Sequence, residues 1–397
     1  MTAQRKVVIV LLTVLMLLTG CSAQSIEDNE TADPAVITRT LYGDSIVDYL
    51  YNQKKGNVII SNVSINMALA MLLEGSNGDT QKQLEEYLGF SKEDARMISR
   101  QLLDSLKGTT TLSEYDEDKT CVEIANSLWL SKEAVIKGEY QKLLEDYFDA
   151  TAQSLDFLNP KSADIINGWL NDKTKGLIPE IINADDMRDL YMVLLNALYM
   201  KGIWTEKYAG TSEGTFNGFT VDVLKSTENI YYENDYATAF GKDIKGNYEM
   251  IAILPKKEGE FTLESLDIEG LLKTKNYEFD VKTVIPVLEL EYSTELVDVL
   301  KGLGVKDAFD PYLSDLSDIR DINGDSRLYV SNVIHKTHVR IDENGFEGAA
   351  ATAIEVRLTF LPKERKEVII DRPFVFMIID KTTGTAIFTG KVVTLEQ

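Results

Sequence analysis

The sequence predicts an α+β domain, on three observations. Segments with apolar side chains at helical spacing dominate the first half of the 397-residue chain, whereas β-rich apolar runs dominate the second half. The two kinds of segment do not alternate regularly, as they would in a parallel α/β sheet. No Pro- or Gly-rich linker divides the chain, and 44% apolar residues suffice for a large core. We therefore expect one α+β domain without internal repeats.

The predicted helices share an apolar stripe of helical period and a polar or glycine residue at one end. In one of them, Thr80 and Gln83 have the spacing of a capping box, and Gly89 would end the helix. Another would begin at Ser64 and end before Gly75. The stripes predict helices near residues 42–50, 64–74, 80–88, 91–107, 140–148 and 163–169.

Strands are expected at residues 122–130, 191–200, 328–341, 368–380 and 385–393. The segment 191–200 is apolar almost throughout, which is typical of a strand buried on both faces. The segment 345–366 fits neither element, because it begins with small residues, becomes apolar and ends charged. A loop of this length in a compact domain is often functional.

The N-terminal residues indicate export. The apolar run Val7–Leu18 follows two basic residues, is too short to span a bilayer and is typical of a signal peptide. It leads into Leu-Thr-Gly-Cys, ending at Cys21, which resembles the bacterial lipobox, where the cysteine is lipidated and the chain is cut before it. We expect a signal peptide over 1–20, lipidated Cys21 with a flexible tether over 21–36, and a folded domain over 37–397. The protein would then be anchored on the extracellular side of a bacterial membrane or cell surface.

Charge and cysteine content exclude several classes of function. The formal net charge of −23 and the pI of about 4.6 argue against nucleic-acid binding, which requires a basic surface. Two cysteines, Cys21 and Cys121, cannot form a disulfide framework or a cysteine-rich zinc site.

The motifs that imitate catalytic or metal sites lack the required context. Gly-Thr-Ser-Glu-Gly around Ser212 matches the nucleophile elbow of hydrolases, but no strand precedes it and no helix follows it in the prediction. His335 and His338 would lie on opposite faces of one strand. The segment 321–325 imitates a calcium loop but lacks the glycine that should follow it. We expect no catalytic residue, no metal and no cofactor; a hydrolase that uses Ser212 is the weakest alternative.

Seven blocks of sequence, in order and at matching spacing, together resemble the serpin family of serine protease inhibitors. The block at 57–72 resembles N-x-x-x-S-P-x-S-x-x-x-A-L-A-M-L, with Asn62 in place of the usual proline. The block at 195–204 resembles V-N-A-x-x-F-K-G-x-W, and His335-Lys336 with Glu343-Asn-Gly345 resembles H-K-A and E-E-G. The remaining blocks lie at 75–80, 167–178, 372–374 and 388–390. The resemblance covers nearly all of residues 37–397 and, with the export signal, is to a bacterial lipoprotein serpin.

The resemblance implies a single domain of three β-sheets, about eight to nine helices and an exposed reactive-centre loop near 345–366. It implies a suicide inhibitor rather than an enzyme. A target serine protease, or a cysteine protease, would cleave the loop and form an acyl-enzyme. The loop would then insert into the central sheet, and the deformed protease could not complete deacylation. A monomer that binds no nucleic acid is expected.

The resemblance also assigns roles to individual residues. A polar cluster beneath the opening sheet, the shutter, corresponds to Ser61, Ser64, Asn196 and His335. Trp204 corresponds to the breach, where insertion begins. The hinge of the loop corresponds to Glu343, Gly345, Phe346, Gly348, Ala349, Ala350, Ala351 and Thr352.

Two hinge residues depart from the family pattern. Phe346 stands where inhibitory serpins usually have Thr or Ser, and Gly348 stands where they usually have Ala. Insertion would be slower if a large ring had to be buried during it. The acyl-enzyme would then be hydrolysed before insertion is complete. The alternative function is therefore a non-inhibitory serpin that acts as a binding protein.

The reactive bond is expected at Thr359–Phe360, with Leu358–Thr359 as second choice. This position comes from counting forward from the hinge glycine Gly345 by the family's usual spacing. Counting back from the C-terminal block gives a bond to proline instead. We prefer the forward count, because the loop length before the cut sets how far the protease is moved.

We predict that elastase, bound covalently to the mature chain, releases a C-terminal fragment beginning at Phe360 or Thr359. The side chains before these bonds suit the apolar specificity pocket of an elastase- or chymotrypsin-like protease. Mass spectrometry of the released fragment tests the assignment. A stable trypsin complex whose fragment begins at Leu358, after Arg357, would contradict it.

Overall fold

The computed structural model describes residues 44–53, 55–108, 120–132, 134–188, 190–320, 328–346 and 363–395. Within these residues lie nine α-helices and sixteen strands arranged in three sheets. The predicted α+β class and the three sheets are confirmed. The export signal, Cys21, the calcium-like segment 321–325 and loop residues 347–362 lie outside the described residues.

The helices are numbered along the chain from the first one described. They are α1 Asp44–Gln53, α2 Asn62–Glu74, α3 Gly78–Leu88, α4 Lys92–Gly108, α5 Gly138–Phe148, α6 Lys161–Lys173, α7 Leu263–Leu266, α8 Ile268–Leu272 and α9 Val297–Gly302, with a 3₁₀ turn at Asp307–Phe309. No helix among the described residues is long and apolar enough to cross a membrane.

Helix α2 lies at the centre of the fold, since every one of its residues is buried. It begins two residues before the predicted start at Ser64. Ser61 is its N-cap, and the Ser61 hydroxyl accepts a hydrogen bond from the Ser64 amide at 3.2 Å. The serine at 64 is therefore inside the helix, and the serine at 61 begins it.

The predicted capping box in α3 is wrong. The helix begins at Gly78, two residues before Thr80. The Thr80 hydroxyl instead accepts from the Asp315 amide at 3.0 Å, and the Gln83 carbonyl oxygen accepts from the amides of Lys306 and Asp307. The two side chains tie α3 to a distant segment, which local spacing cannot reveal. Gly89 does end the helix, in the left-handed conformation at φ 77°.

The strands form two sheets of six and one of four. Sheet A has the order β11-β12-β13-β4-β2-β3, sheet B the order β1-β16-β15-β9-β8-β7, and sheet C the order β14-β10-β6-β5. Sheet A contains β2 Cys121–Ser131, β3 Thr151–Leu155, β4 Met192–Ile203, β11 Leu288–Glu295, β12 Asn332–Ile341 and β13 Gly345–Phe346. Sheet B contains β1 Val58–Ile60, β7 Ile230–Glu233, β8 Ala237–Ile244, β9 Tyr248–Pro255, β15 Phe374–Asp380 and β16 Ala386–Val392. Sheet C contains β5 Thr211–Phe216, β6 Phe219–Glu228, β10 Phe279–Pro286 and β14 Glu364–Ile369.

Two predicted strands differ from the observed ones. The run 368–380 divides at Arg372-Pro373 into β14 of sheet C and β15 of sheet B, because proline cannot donate to a ladder inside a sheet. In the segment 328–341, only residues 332–341 form β12, although Leu328 and Val330 are buried before it.

Sheet A is covered on both faces around β4. Helix α2 packs between β4 and sheet B. On the other face, Ile166 of α6 packs in one cluster with Val193 of β4 and Ile334 of β12. Trp129 of β2 and Trp169 of α6 meet edge to face, with ring centroids 5.9 Å apart. This double cover explains the nearly continuous apolar sequence of β4.

Candidate functional site

The candidate site is the place where β4 and β12 separate. The two parallel strands pair directly from Val193 with Asn332 to Leu198 with Thr337. Beyond this point β13 lies between them and runs antiparallel to both. Phe346 is the register partner of Ile341 on β12 and of Gly202 on β4. Sheet A therefore opens at one end and already holds the first two residues of an additional strand.

Phe346 is buried in this opening. Its side chain is 1% exposed, and its ring centroid lies 5.6 Å from that of Phe388 in sheet B. The expectation that this ring has still to be buried when the loop inserts is therefore wrong. The adjacent Gly345 requires the absence of a side chain, because a Cβ there would collide with the carbonyl oxygen of Gly202.

Trp204, the predicted breach residue, lies directly after β4 and contacts the segment that enters β13. Its indole nitrogen donates to the Asp342 carbonyl at 2.9 Å. Its ring meets Tyr208 edge to face, and the Lys242 ammonium lies 4.3 Å from the Tyr208 ring centroid. Lys242 is in turn paired with Glu228 at 2.6 Å. Burial raises the pKa of the Tyr208 hydroxyl well above its ordinary value, so Tyr208 stays neutral.

The four predicted shutter residues meet where β4 and β12 still pair directly. The Nε2 atom of His335 accepts from the Ser61 amide at 3.2 Å, and its Nδ1 lies 2.6 Å from the side-chain oxygen Oδ1 of Asn196. The Asn196 amide nitrogen donates to the Ser64 carbonyl at 2.6 Å. Thus α2, β4 and β12 are joined by one buried hydrogen-bond network.

His335 is neutral in this network. Burial lowers the pKa of its imidazole to about 3, and the hydrogen bond with Asn196 opposes the shift only in part. Since Nε2 accepts from a backbone amide, the proton of the neutral ring is on Nδ1, which donates to Asn196.

Sequence reasoning missed Asn126, which completes the network. This residue of β2 is the register partner of Asn196, and its side-chain oxygen accepts from the Asn196 amide nitrogen at 2.5 Å. An asparagine in a strand whose residues 128–130 are all apolar was the available signal, because a buried amide needs a partner.

Other candidate residues lie away from this network. His338 faces the opposite side of β12 from His335, as predicted, and its Nε2 is 3.7 Å from a Glu289 oxygen. Glu343 lies beside the opening, where its carbonyl accepts from the Tyr208 amide at 3.1 Å. Ser212 lies inside β5, paired with Val223 of β6, and not at a strand-to-helix turn. A nucleophile elbow is therefore not formed there.

The rest of the predicted site lies outside the described residues. This applies to the hinge residues Gly348, Ala349, Ala350, Ala351 and Thr352, to Leu358, Thr359 and Phe360 of the reactive bond, and to Cys21.

Comparison with known proteins agrees with this geometry. The family model described as "Serpin (serine protease inhibitor)" matches residues 42–395. An uncharacterized serpin-like protein of Thermococcus kodakarensis is 33% identical, over 86% of this chain and 82% of its own. Leukocyte elastase inhibitor A of Mus musculus is 32% identical, over 85% of this chain and 93% of its own.

Solved structures give the same result. The thermophilic serpin tengpin in its native state superposes with a TM-score of 0.80 at 29% identity, covering 93% of this chain and 96% of its own. The chain therefore belongs to the serpin family of serine protease inhibitors, which are not enzymes and include some non-inhibitory members.

Proposed function

We propose that this serpin is a suicide inhibitor of serine proteases with elastase- or chymotrypsin-like specificity. The observation that carries the proposal is β13, a strand of two residues that already lies between β4 and β12. A strand that has begun in an opening of a sheet can be extended by the residues that follow it. These are residues 347–359, up to the proposed reactive bond Thr359–Phe360.

The register of β13 assigns a partner to each following residue. Continuing antiparallel to β12, Gly348 would lie beside Val339, Ala350 beside Thr337 and Thr352 beside His335. Val339, Thr337 and His335 are all buried on the core side of sheet A. Because cross-strand partners share a face, these loop residues would point into the core. Gly, Ala and Thr are small enough to enter a closed sheet with little displacement.

The same register places Thr352 between His335 and Asn196, the two residues whose hydrogen bond joins β12 to β4. Insertion to this depth would separate that pair. The Thr352 hydroxyl could then donate and accept in the position between them, so that neither buried group loses its hydrogen bond.

Charge on the outer face of the sheet supports the same register. Glu347 would lie beside Arg340 on one side and Lys201 on the other. The Arg340 side chain is 46% exposed, so the two cations are on the accessible face of the sheet. A carboxylate between two cations is favourable, whereas a register shifted by one residue would place Phe346 or Gly348 there and Glu347 in the core.

Insertion after cleavage would stall the protease. The target's serine attacks the Thr359 carbonyl, Phe360 leaves as the new N-terminus, and Thr359 remains bound to the serine as an ester. Movement of the ester-linked strand would pull the protease out of its catalytic geometry, and its oxyanion hole would no longer stabilise the attack of water. The intact protein would be kinetically trapped, with the strain released by cleavage.

The export signal completes the proposal. Lipidated Cys21 and the tether to residue 36 would hold the inhibitor on the extracellular side of a bacterial membrane, as a monomer facing external proteases. The name of the murine relative, leukocyte elastase inhibitor A, supports an elastase-like target.

A non-inhibitory serpin that binds a partner is the second candidate. The substitution of Phe346 for a small hinge residue favours it. This argument is weakened by the observed burial of Phe346 before any cleavage. A denaturing gel of the mature chain with a panel of serine proteases separates the two: an SDS-stable complex supports the inhibitor, and clean loop cleavage without a complex supports the binding protein.

We predict that Ala350→Arg abolishes the SDS-stable complex with an elastase- or chymotrypsin-like protease and leaves the loop cleavable. The arginine would have to enter the core beside Thr337, and an unpaired buried charge strongly opposes insertion. Ala350→Ser is the matched control and should retain the complex. Equal complex yield from the Arg variant would rule out insertion in this register.

Cleavage of the loop within residues 355–361 should raise the thermal unfolding midpoint strongly, because the added strand completes sheet A between β4 and β12. Calorimetry of the intact and the cleaved chain measures the difference. The Ala350→Arg variant should gain far less. Intact and cleaved forms that melt together would favour the binding protein.

Stability should fall as the pH is lowered below 6.5. His335 has a pKa of about 3 when folded, against 6.5 as its ordinary value. The contribution of neutral His335 to the free energy of unfolding is complete above pH 6.5. It is lost as the pH falls towards 3, at about 1.4 kcal/mol per pH unit. Between pH 6.5 and pH 5 the loss is about 2 kcal/mol, a range in which exposed carboxylates remain ionised. Urea unfolding at the two pH values should show this loss in the wild type and little of it in His335→Gln. An equal loss in both proteins would contradict the prediction.

A further inference from the structure

The turn between β12 and β13 is built around one buried carboxylate. Asp342 is 3% exposed, and its Oδ1 accepts from the amides of Asn344 at 2.8 Å and Gly345 at 3.2 Å. Its own amide donates to the Gly345 carbonyl at 3.0 Å. Side chain and backbone of one residue thus close the turn that brings Gly345 back beside β12.

The outer side of this turn is bound to the segment that follows β4. The carbonyls of three successive residues accept hydrogen bonds from it. Asp342 accepts from the Trp204 indole at 2.9 Å, Glu343 from the Tyr208 amide at 3.1 Å, and Asn344 from the Trp204 amide at 3.3 Å. The turn is therefore fixed from within by Asp342 and from outside by residues 204–208.

We propose that Asp342 is a positioning residue that holds the hinge docked before a protease arrives. Its carboxylate sets the turn, and the turn places Gly345 and Phe346 between β4 and β12. This inference rests on the proposed inhibitory function for its consequence, but the docking itself does not depend on that function.

The consequence concerns the competition between insertion and deacylation. When a new strand begins to pair, several residues lose conformational entropy before enough contacts have formed to offset that loss. Here residues 342–346 are ordered in the intact protein, so that step precedes cleavage. After cleavage the strand has only to extend, and insertion starts ahead of hydrolysis of the acyl-enzyme.

The charge of Asp342 can be separated from its capping role. Its second oxygen, Oδ2, lies 3.2 Å from Nε of Arg340, whose side chain is half exposed. Asp342→Asn keeps an oxygen that can accept from the two amides and removes the ion pair. Arg340→Gln removes the ion pair from the other side. Asp342→Ala removes both the cap and the ion pair.

The experiment has two readouts on the mature chain. Hydrogen exchange of the intact protein reports whether the amides of residues 344–346 are protected. Titration of chymotrypsin or elastase gives the number of inhibitor molecules cleaved per protease trapped.

In Asp342→Ala we expect hydrogen exchange of residues 344–346 to accelerate at least tenfold. The number of inhibitor molecules cleaved per protease trapped should rise by about tenfold. A slowing of insertion by this factor is expected when one additional residue has to be ordered after cleavage. Asp342→Asn should remain near the wild type in both readouts, and Arg340→Gln should leave the exchange of residues 344–346 near the wild type.

Asp380 provides a matched control in sheet B. It is 2% exposed, its Oδ1 accepts from the Thr382 amide at 2.8 Å, and its own amide donates to the Thr385 carbonyl at 2.9 Å. Asp380→Ala therefore removes a buried turn cap of the same kind in a different sheet. It should lower the thermal midpoint as Asp342→Ala does, and leave the exchange of residues 344–346 and the trapping ratio unchanged.

Three results would overturn the inference. Unchanged exchange of residues 344–346 in Asp342→Ala would show that the carboxylate does not hold the hinge. Faster exchange with an unchanged trapping ratio would show that docking does not assist insertion. If Asp380→Ala changed the exchange of residues 344–346 and the trapping ratio in the same way, both effects would result from lower overall stability and not from the hinge. If the wild type traps no protease, the proposed function fails, and the exchange measurement still decides whether Asp342 holds the hinge.

Discussion

Strands β4 and β12 pair directly only over residues 193–198 and 332–337, and past that point they stand one strand apart. The other features of the site follow from this separation. It leaves room for β13, it places Trp204 beside the turn at 342–345, and it puts the network of His335 and Asn196 at the last part of the sheet that is still closed. A sheet that is closed at one end and open at the other can accept the first residues of another strand at once, whereas deeper insertion has to separate the β4–β12 ladder at residues 193–198 and 332–337.

The closed part is held by two different kinds of interaction. Apolar packing of α2 and α6 covers both faces of β4 and has no required direction. The hydrogen bonds that link Asn196 to His335, Ser64 and Asn126 are directional and specify one spacing of the strands. If sheet A opens as proposed, this division is useful: the hydrogen-bond partners across the opening could be exchanged while the apolar layers on both faces stay in contact.

Local sequence predicted the parts of the fold that depend on local rules. The apolar run of β4, the apolar stripes of the helices and the left-handed Gly89 all follow from periodicity or from the conformation of one residue. Thr80 and Gln83 were misassigned because their partners, Asp315 and Lys306, are distant in the sequence. Family resemblance grouped Ser61, Ser64, Asn196 and His335, which do meet in one hydrogen-bond network, whereas it did not indicate Asn126. The docking of β13 was not predicted, because it depends on contacts of the 342–346 segment with β4, β12 and residues 204–208 that no local pattern encodes.

The observed position of the Phe346 side chain changes its expected effect on loop insertion. In a loop that still had to insert, a phenylalanine would delay the first step, since the core would have to accommodate its ring after cleavage. Here the ring already packs on Phe388, and Gly345 beside it allows the close approach to Gly202 that docking requires. The bulky residue therefore contributes to the intact state, and in the proposed insertion the next residues on the core side of the strand would be Gly348, Ala350 and Thr352. If the loop inserts as proposed, the largest of these side chains is already in the core before cleavage, and the first residues to enter afterwards would be small.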